Sequence, residues 1–168
     1  GSRALLEGEV AQAIVDKVQK HPTNPGKLSL SDLAGYQPRK RTPICHDYSA
    51  TGRDYRICGF PPPSSGAIAV GQILGILSNT QAASLPLQAG VPTPAGPAPS
   101  ADWLYLYTEA ARLAFADRAL YLGDPDFVQP PAGNWMSLLD PAYLAGRAKL
   151  IGQAPGAPSM KVAQPGNP

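Results

Sequence analysis

Between residues 4 and 20, Ala11, Ile14, Val15 and Val18 recur on one face of a helical period, while Glu7, Glu9, Asp16, Lys17 and Lys20 fall elsewhere. That pattern predicts an amphipathic helix, ended by the turn-forming stretch Pro22 to Gly26. Ser29 and Asp32 have capping-box spacing ahead of a short helix from Leu30 to Ala34, which Gly35 stops. From Tyr36 to Phe60 the pattern turns extended. Tyr36, Thr42, Ile44 and Tyr48 precede the turn residues Ser49, Thr51, Gly52 and Asp54, and Tyr55, Ile57 and Phe60 follow, predicting a hairpin or two neighbouring strands.

Pro61-Pro62-Pro63-Ser64-Ser65-Gly66 leads out of that run into a helix marked by Ile68, Ile73, Leu74 and Leu77, reaching about Ser78. Three prolines fix φ and remove three donors, so a stiff, extended approach to the helix is expected. Ser64 or Ser65 is then the N-cap, and Gly66 allows close backbone approach. Residues 79–101 hold no Asp, Glu, Lys or Arg and predict a long loop of polyproline character. Ser100 or Asp102 caps the strongest helix, with Trp103, Leu106, Tyr107, Ala110, Ala114 and Leu120 on one side and its end at Gly123. Asp124-Pro125-Asp126-Phe127 is a turn. Asp140 as cap and Pro141 at the first helical position start a last helix through Ala142 to Ile151. The predicted fold class is α+β, mostly helical with a short strand pair. Residues 1–152 form the ordered part, and a low-complexity tail, 153–168, carries no expected order.

Composition sharpens this only in places. The 168 residues include 20 prolines and 17 glycines, concentrated in a few stretches, so ordered blocks alternate with irregular ones. A net charge of +2 gives no field that would argue for nucleic acid or an anionic membrane. Arg39-Lys40-Arg41 reads as charge guarding a sheet edge. No apolar run is long enough to span a bilayer and no signal-peptide pattern opens the chain, so it reads as soluble. Cys45 and Cys58 flank the hairpin turn. They are either a disulfide across the hairpin, which implies an oxidising compartment, or two reduced thiols in strands. With His21 and His46 as the only histidines and no paired-ligand spacing, no metal site is expected.

No catalytic constellation emerges from the residues themselves. Ser64 and Ser65 lack the Gly-x-Ser-x-Gly frame of a nucleophile elbow, which leaves them capping and packing roles. Glu109, Asp117, Arg118, Asp124 and Asp126 read as structural ion pairs, with Arg118 reaching Asp124 or the last helical carbonyls. Trp103, Tyr105, Tyr107, Phe115 and Tyr121 read as core packing.

The order and spacing of Gly35-Tyr36, Arg41-Thr42-Pro43, Pro61 to Gly66, Ala116-Asp117-Arg118 and Tyr121 to Phe127 resemble the gamma-glutamyltransferase (glutathione hydrolase) family over most of the chain. Ala67 stands where the family commonly has a second glycine. The resemblance implies the later part of the large subunit of a precursor that cleaves itself, hence a segment of an αββα N-terminal nucleophile hydrolase sandwich. The tail would lead to the cleavage point, and the catalytic threonine would be the new N-terminus of the small subunit. Neither that threonine nor the arginine that receives the substrate's α-carboxylate maps onto this chain, so no catalytic or substrate-binding residue is carried over. Pro63, Ser64, Ser65, Gly66, Asp117, Arg118, Gly123, Asp124 and Pro125 are the family-motif positions, with structural roles expected. The implied partners are the small subunit and glutathione or another gamma-glutamyl compound, with no cofactor, in the periplasm or outside the cell. The rival readings are a glutaryl-cephalosporin-type acylase of the same family and a non-catalytic binding or assembly module.

Overall fold

The structure, a computed structural model, describes residues 1–50, 52–85, 87–93 and 96–168. The predicted turn residue Thr51 lies outside them. The chain divides into two compact units, Gly1–Lys40 and Arg41–Pro168, so the tail goes with the second unit instead of standing apart after residue 152.

In the first unit the predicted helix is two: α1 (Ser2–Leu6) and α2 (Glu9–Gln19), parted at Gly8, whose φ of 85° a helix cannot contain. Ala11 and Val15 are the buried positions of α2. Helix α3 (Leu30–Ala34) carries the expected capping box, Ser29 Oγ accepting from Asp32 N at 3.2 Å and Asp32 Oδ2 accepting from Ser29 N at 2.8 Å.

The second unit opens with the antiparallel hairpin β1 (Ile44–Ala50) and β2 (Arg53–Gly59). Its register sets Cys45 opposite Cys58, and the two form a disulfide with their Cα atoms 4.1 Å apart. Helix α4 (Gly66–Ser78) is apolar nearly all round because it is surrounded: it packs on the hairpin, on α5 (Ala101–Tyr121), on α6 (Pro141–Ala148) and on the 3-10 turn Trp135–Leu139. Ala67, where the family pattern has glycine, packs its methyl on Gly59 of β2, whose missing side chain makes the room. Ile73, Ile76 and Leu77 of α4, Leu106, Ala110, Leu113 and Ala114 of α5, and Leu144, Ala148 and Ile151 form one core.

Two expectations are corrected. The buried stripe of α5 is Leu106, Glu109, Ala110, Leu113, Ala114 and Asp117, while Tyr107, Phe115 and Leu120 are exposed. Small and aliphatic residues dominate the buried stripe and Tyr107 and Phe115 point outward, whereas Trp103 and Tyr105 pack partly buried against the core as expected, Trp103 stacking on Tyr107 at 5.5 Å. The uncharged stretch 79–101 is not one long loop. It holds a 3-10 turn, Gln81–Ser84, and a second antiparallel pair, β3 (Leu87–Thr93) and β4 (Gly96–Pro99). Prolines are tolerated because both strands of a two-stranded sheet are edges and the register shifts between Gln88 and Pro92. Pro86, Pro94 and Ala95 of this stretch lie outside the described residues.

The hairpin meets α4 at His46, whose ring lies so close to Gly71 that a Cβ there would stand 3.0 Å from Nδ1. Both ring nitrogens are buried without a partner. Burial depresses the imidazole below its ordinary 6.5, and the neighbouring Asp47 carboxylate opposes this only in part. The folded state therefore binds this proton less readily than the unfolded chain does. The stability this contributes is complete above about pH 6.5 and is lost as pH falls towards the depressed folded value. Thermal melts from pH 7.5 to pH 5 should show a falling Tm whose slope flattens in His46→Phe; an equal slope in both would remove His46 as the cause.

Candidate functional site

The motif residues collect around the end of α5, with Arg118 on its exposed side and Asp117 on its buried side. At its C-terminal end Arg118 Nε donates to Ser65 Oγ at 2.8 Å, and its guanidinium lies 5.6 Å from the Phe115 ring centre. Ser65 thus occupies the N-cap position of α4, but its hydroxyl serves Arg118 instead of a first-turn amide; Ser64 Oγ accepts from Gly66 N at 3.4 Å. Before them the prolines do not run extended as a polyproline arm. Pro61 O accepts from Ser64 N at 3.0 Å, and the Pro62–Pro63 peptide is cis. Pro62 is buried under this turn, whereas Pro63, Ser64 and Gly66 are exposed.

Arg118 does not reach the Asp124 turn as expected. That partner is Arg41, whose guanidinium lies 3.6 Å from Asp124 and 3.1 Å from Asp126. Arg41 therefore joins the entry to β1 to the turn after α5. Asp124 shapes the turn itself, Oδ1 accepting from Asp126 N at 3.0 Å and its carbonyl from Phe127 N and Val128 N. Pro125 lies within this turn, and Gly123 admits Val128, which a Cβ would meet at 2.8 Å.

Deeper in, Asp117 is fully buried at the centre of a polar network. Its Oδ1 accepts from Arg147 Nη2 at 3.0 Å and from the Gly166 amide at 2.8 Å; Oδ2 accepts from Gln72 Nε2 at 2.8 Å and from the Tyr143 hydroxyl at 2.7 Å. One carboxylate thereby links α4, α5, α6 and the C-terminal segment. Arg147, also buried, donates further to the carbonyls of Leu113 and Gln164. Burial first, and then the Asp117 carboxylate, push the Tyr143 hydroxyl well above the ordinary phenol range, so it stays a donor at any physiological pH.

Just over two turns back along the same face, buried Glu109 forms a second anchor. Its Oε1 accepts from Arg112 at 2.8 Å and its Oε2 from the Met160 amide at 3.0 Å. Tyr105 donates to Pro158 O at 3.2 Å, Arg112 to Lys161 O at 3.3 Å, and Tyr121 to Gly166 O at 2.6 Å. The tail for which the composition predicts no order has no regular secondary structure, yet side chains of α5 and α6 bind its backbone from Pro158 to Gly166. Composition misses this because the donors and acceptors reside in the helices.

The arrangement is suited to holding chain. Each buried carboxylate is occupied by an arginine and a backbone amide, and neither stands beside a serine or histidine that it could activate. Among the described residues no three His, Cys, Asp or Glu side chains are grouped to hold a metal, and no helix is long and apolar enough to cross a membrane.

Comparison with known proteins places these features. The family model described as gamma-glutamyltranspeptidase matches residues 1–167. The glutathione hydrolase proenzyme of Escherichia coli K12 is 37% identical over 162 residues, covering 96% of this chain and 24% of the relative. The acylase ACY 1 proenzyme of Pseudomonas sp. SE83 is 36% identical over 151 residues, covering 90% and 23%. The crystal structure of Helicobacter pylori gamma-glutamyltranspeptidase superposes with a TM-score of 0.65 at 30% identity, over 98% of this chain and 41% of that one. The chain thus spans about a quarter of the length of the curated relatives it matches.

Proposed function

The chain belongs to the gamma-glutamyltranspeptidase family, and on that premise we propose that it is a large-subunit portion of a precursor that matures into a gamma-glutamyltransferase or glutathione hydrolase. The observation that carries this reading is the family match over residues 1–167, with the motif residues Asp117 and Arg118 at the end of α5 tying it to α6 and to the start of α4. In the complete enzyme, an N-terminal nucleophile hydrolase sandwich, a threonine outside this chain attacks the gamma-carbonyl of a gamma-glutamyl amide. Its freed α-amino group takes the hydroxyl proton and the amine leaves. The glutamyl-threonine ester then passes its acyl group to water or to an amino acid. This chain contributes no reacting group.

Its contribution is scaffold and surface. Leu104, Tyr107 and Phe115 expose 42 to 54% of their area on one side of α5, an apolar face suited to cover by the rest of the protein, including the small subunit. The disulfide fits an oxidising location, periplasmic or secreted.

The test is to express the full precursor and follow it by mass spectrometry and N-terminal sequencing. Two chains are expected, the smaller beginning with threonine, together with hydrolysis of a chromogenic gamma-glutamyl anilide. An uncut, inactive precursor would remove the reading. The acylase match favours a second one, cleavage of glutaryl amides, and a glutaryl anilide hydrolysed faster than its gamma-glutamyl counterpart would select it.

A further inference from the structure

We infer that Asp117 and Glu109 are positioning residues for maturation: through the backbone of residues 158–166 they set where the chain beyond that segment is delivered for self-cleavage. The inference rests on the proposed precursor function and adds to it a named device within this chain. The observation is an asymmetry. The segment has no helix or strand of its own, and the side-chain contacts that tie it to the helices run from α5 and α6 to its main chain.

The two anchors differ from surface contacts in kind. Asp117 and Glu109 are 0% and 1% exposed, and each spends one carboxylate oxygen on an amide of the segment, at Gly166 and Met160. A buried carboxylate that loses such a donor keeps its side-chain partners but has a lone pair left unsatisfied away from solvent, and the freed amide loses its acceptor, so release of the segment is disfavoured. Tyr143 closes the groove over Gly166: a Cβ at that position would collide with the phenol, so a larger residue there would have to displace the ring that is bonded to Asp117. Arg147 and Tyr121 then donate to the carbonyl side and fix it, at Gln164 O and Gly166 O. Self-cleavage of a backbone requires a near-attack geometry at the reacting peptide, and such geometry is sensitive to small displacements of the chain that leads to it. A segment held at Met160 and Gly166 supplies that constraint; one released at either point does not.

The experiment uses the full precursor with Asp117→Asn, Glu109→Gln and the milder Tyr121→Phe, which removes a single hydroxyl. Two rates are followed in each: trypsin cleavage after Lys161, whose side chain is exposed, and appearance of the mature subunits. Expected is at least a tenfold faster cut after Lys161 and at least a tenfold slower maturation for Asp117→Asn and Glu109→Gln, with smaller changes of the same sign for Tyr121→Phe. Variant enzyme that does mature should keep the wild-type KM and kcat, which general damage to the fold would not spare. If the cut after Lys161 is no faster in folded variants, the anchoring is wrong. If it is faster and maturation is unchanged, the link to maturation is wrong. Should Asp117→Asn and Glu109→Gln fail to fold, Tyr121→Phe decides by the same two rates. A wild-type precursor that never cuts itself overturns the functional reading, and this inference with it, while the trypsin rates still report on the anchors separately.

Discussion

Arg147→Met should cost about 3 to 5 kcal/mol of unfolding free energy, the range for breaking a buried ion pair from one side. The aliphatic part of the side chain is roughly preserved, so packing is not the main loss. What is lost is the charge facing Asp117, which is 0% exposed and has no water to turn to. The Leu113 and Gln164 carbonyls lose their donor in the same step. Some offset is built in, because the Arg147 Nε and Gln72 Oε1 atoms are already buried without partners, so the native network is not fully satisfied to begin with. Urea titration of the protein carrying this chain gives the number, and a double-mutant cycle tests its origin. Asp117→Asn removes the charge that Arg147 neutralises, so the double variant should be less destabilised than the sum of the two singles by at least about 1 kcal/mol. Additive costs would show that the two side chains act independently.

Much of the local structure was legible. The capping box at Ser29 and Asp32, the caps at Ser100 and Asp140, and Pro141 at the first helical position all follow from side-chain chemistry acting over three residues, and the structure has each of them. The hairpin was legible too, since turn residues stand between two extended runs. What could not be read were partners chosen across the fold. Arg118 and Asp124 are near in sequence, but Arg118 belongs to Ser65 and Asp124 to Arg41, because the direction in which each side chain leaves α5 or its turn is set by packing. A faint signal for the deeper network did exist. Glu109 and Asp117 interrupt the stripe formed by Leu106, Ala110, Leu113 and Ala114, and charge at helical spacing within an apolar stripe points to burial with a partner. The partners Gln72, Tyr143 and Arg147 carried no such mark. The order of the tail was hidden for the same reason: its own residues are poor structure formers, and the groups that hold it are elsewhere.

Replacing both cysteines, Cys45→Ser with Cys58→Ser, should cost about 3 kcal/mol where the bond acts by restricting the unfolded chain, as a loop of this length implies. The sequence separation is 13 residues, and the bond closes across a directly opposed pair in the hairpin, so register is held by the disulfide as well as by the ladder. The loss should not spread evenly. A lone two-stranded ribbon is marginal in water. This hairpin depends on its contact with α4, and at that contact the unpartnered His46 contributes no hydrogen bond. The core of α4, α5 and α6 has its own apolar contacts and the Asp117 network. Hydrogen exchange should therefore show amides of Ile44–Ala50 and Arg53–Gly59 opening first in the double variant, or in wild type under reductant, while those of α5 keep most of their protection. Equal loss of protection in both would mean that hairpin and helices unfold as one cooperative unit. The bond would then stabilise the whole second unit, and reduction would loosen the helices around Asp117 together with the hairpin.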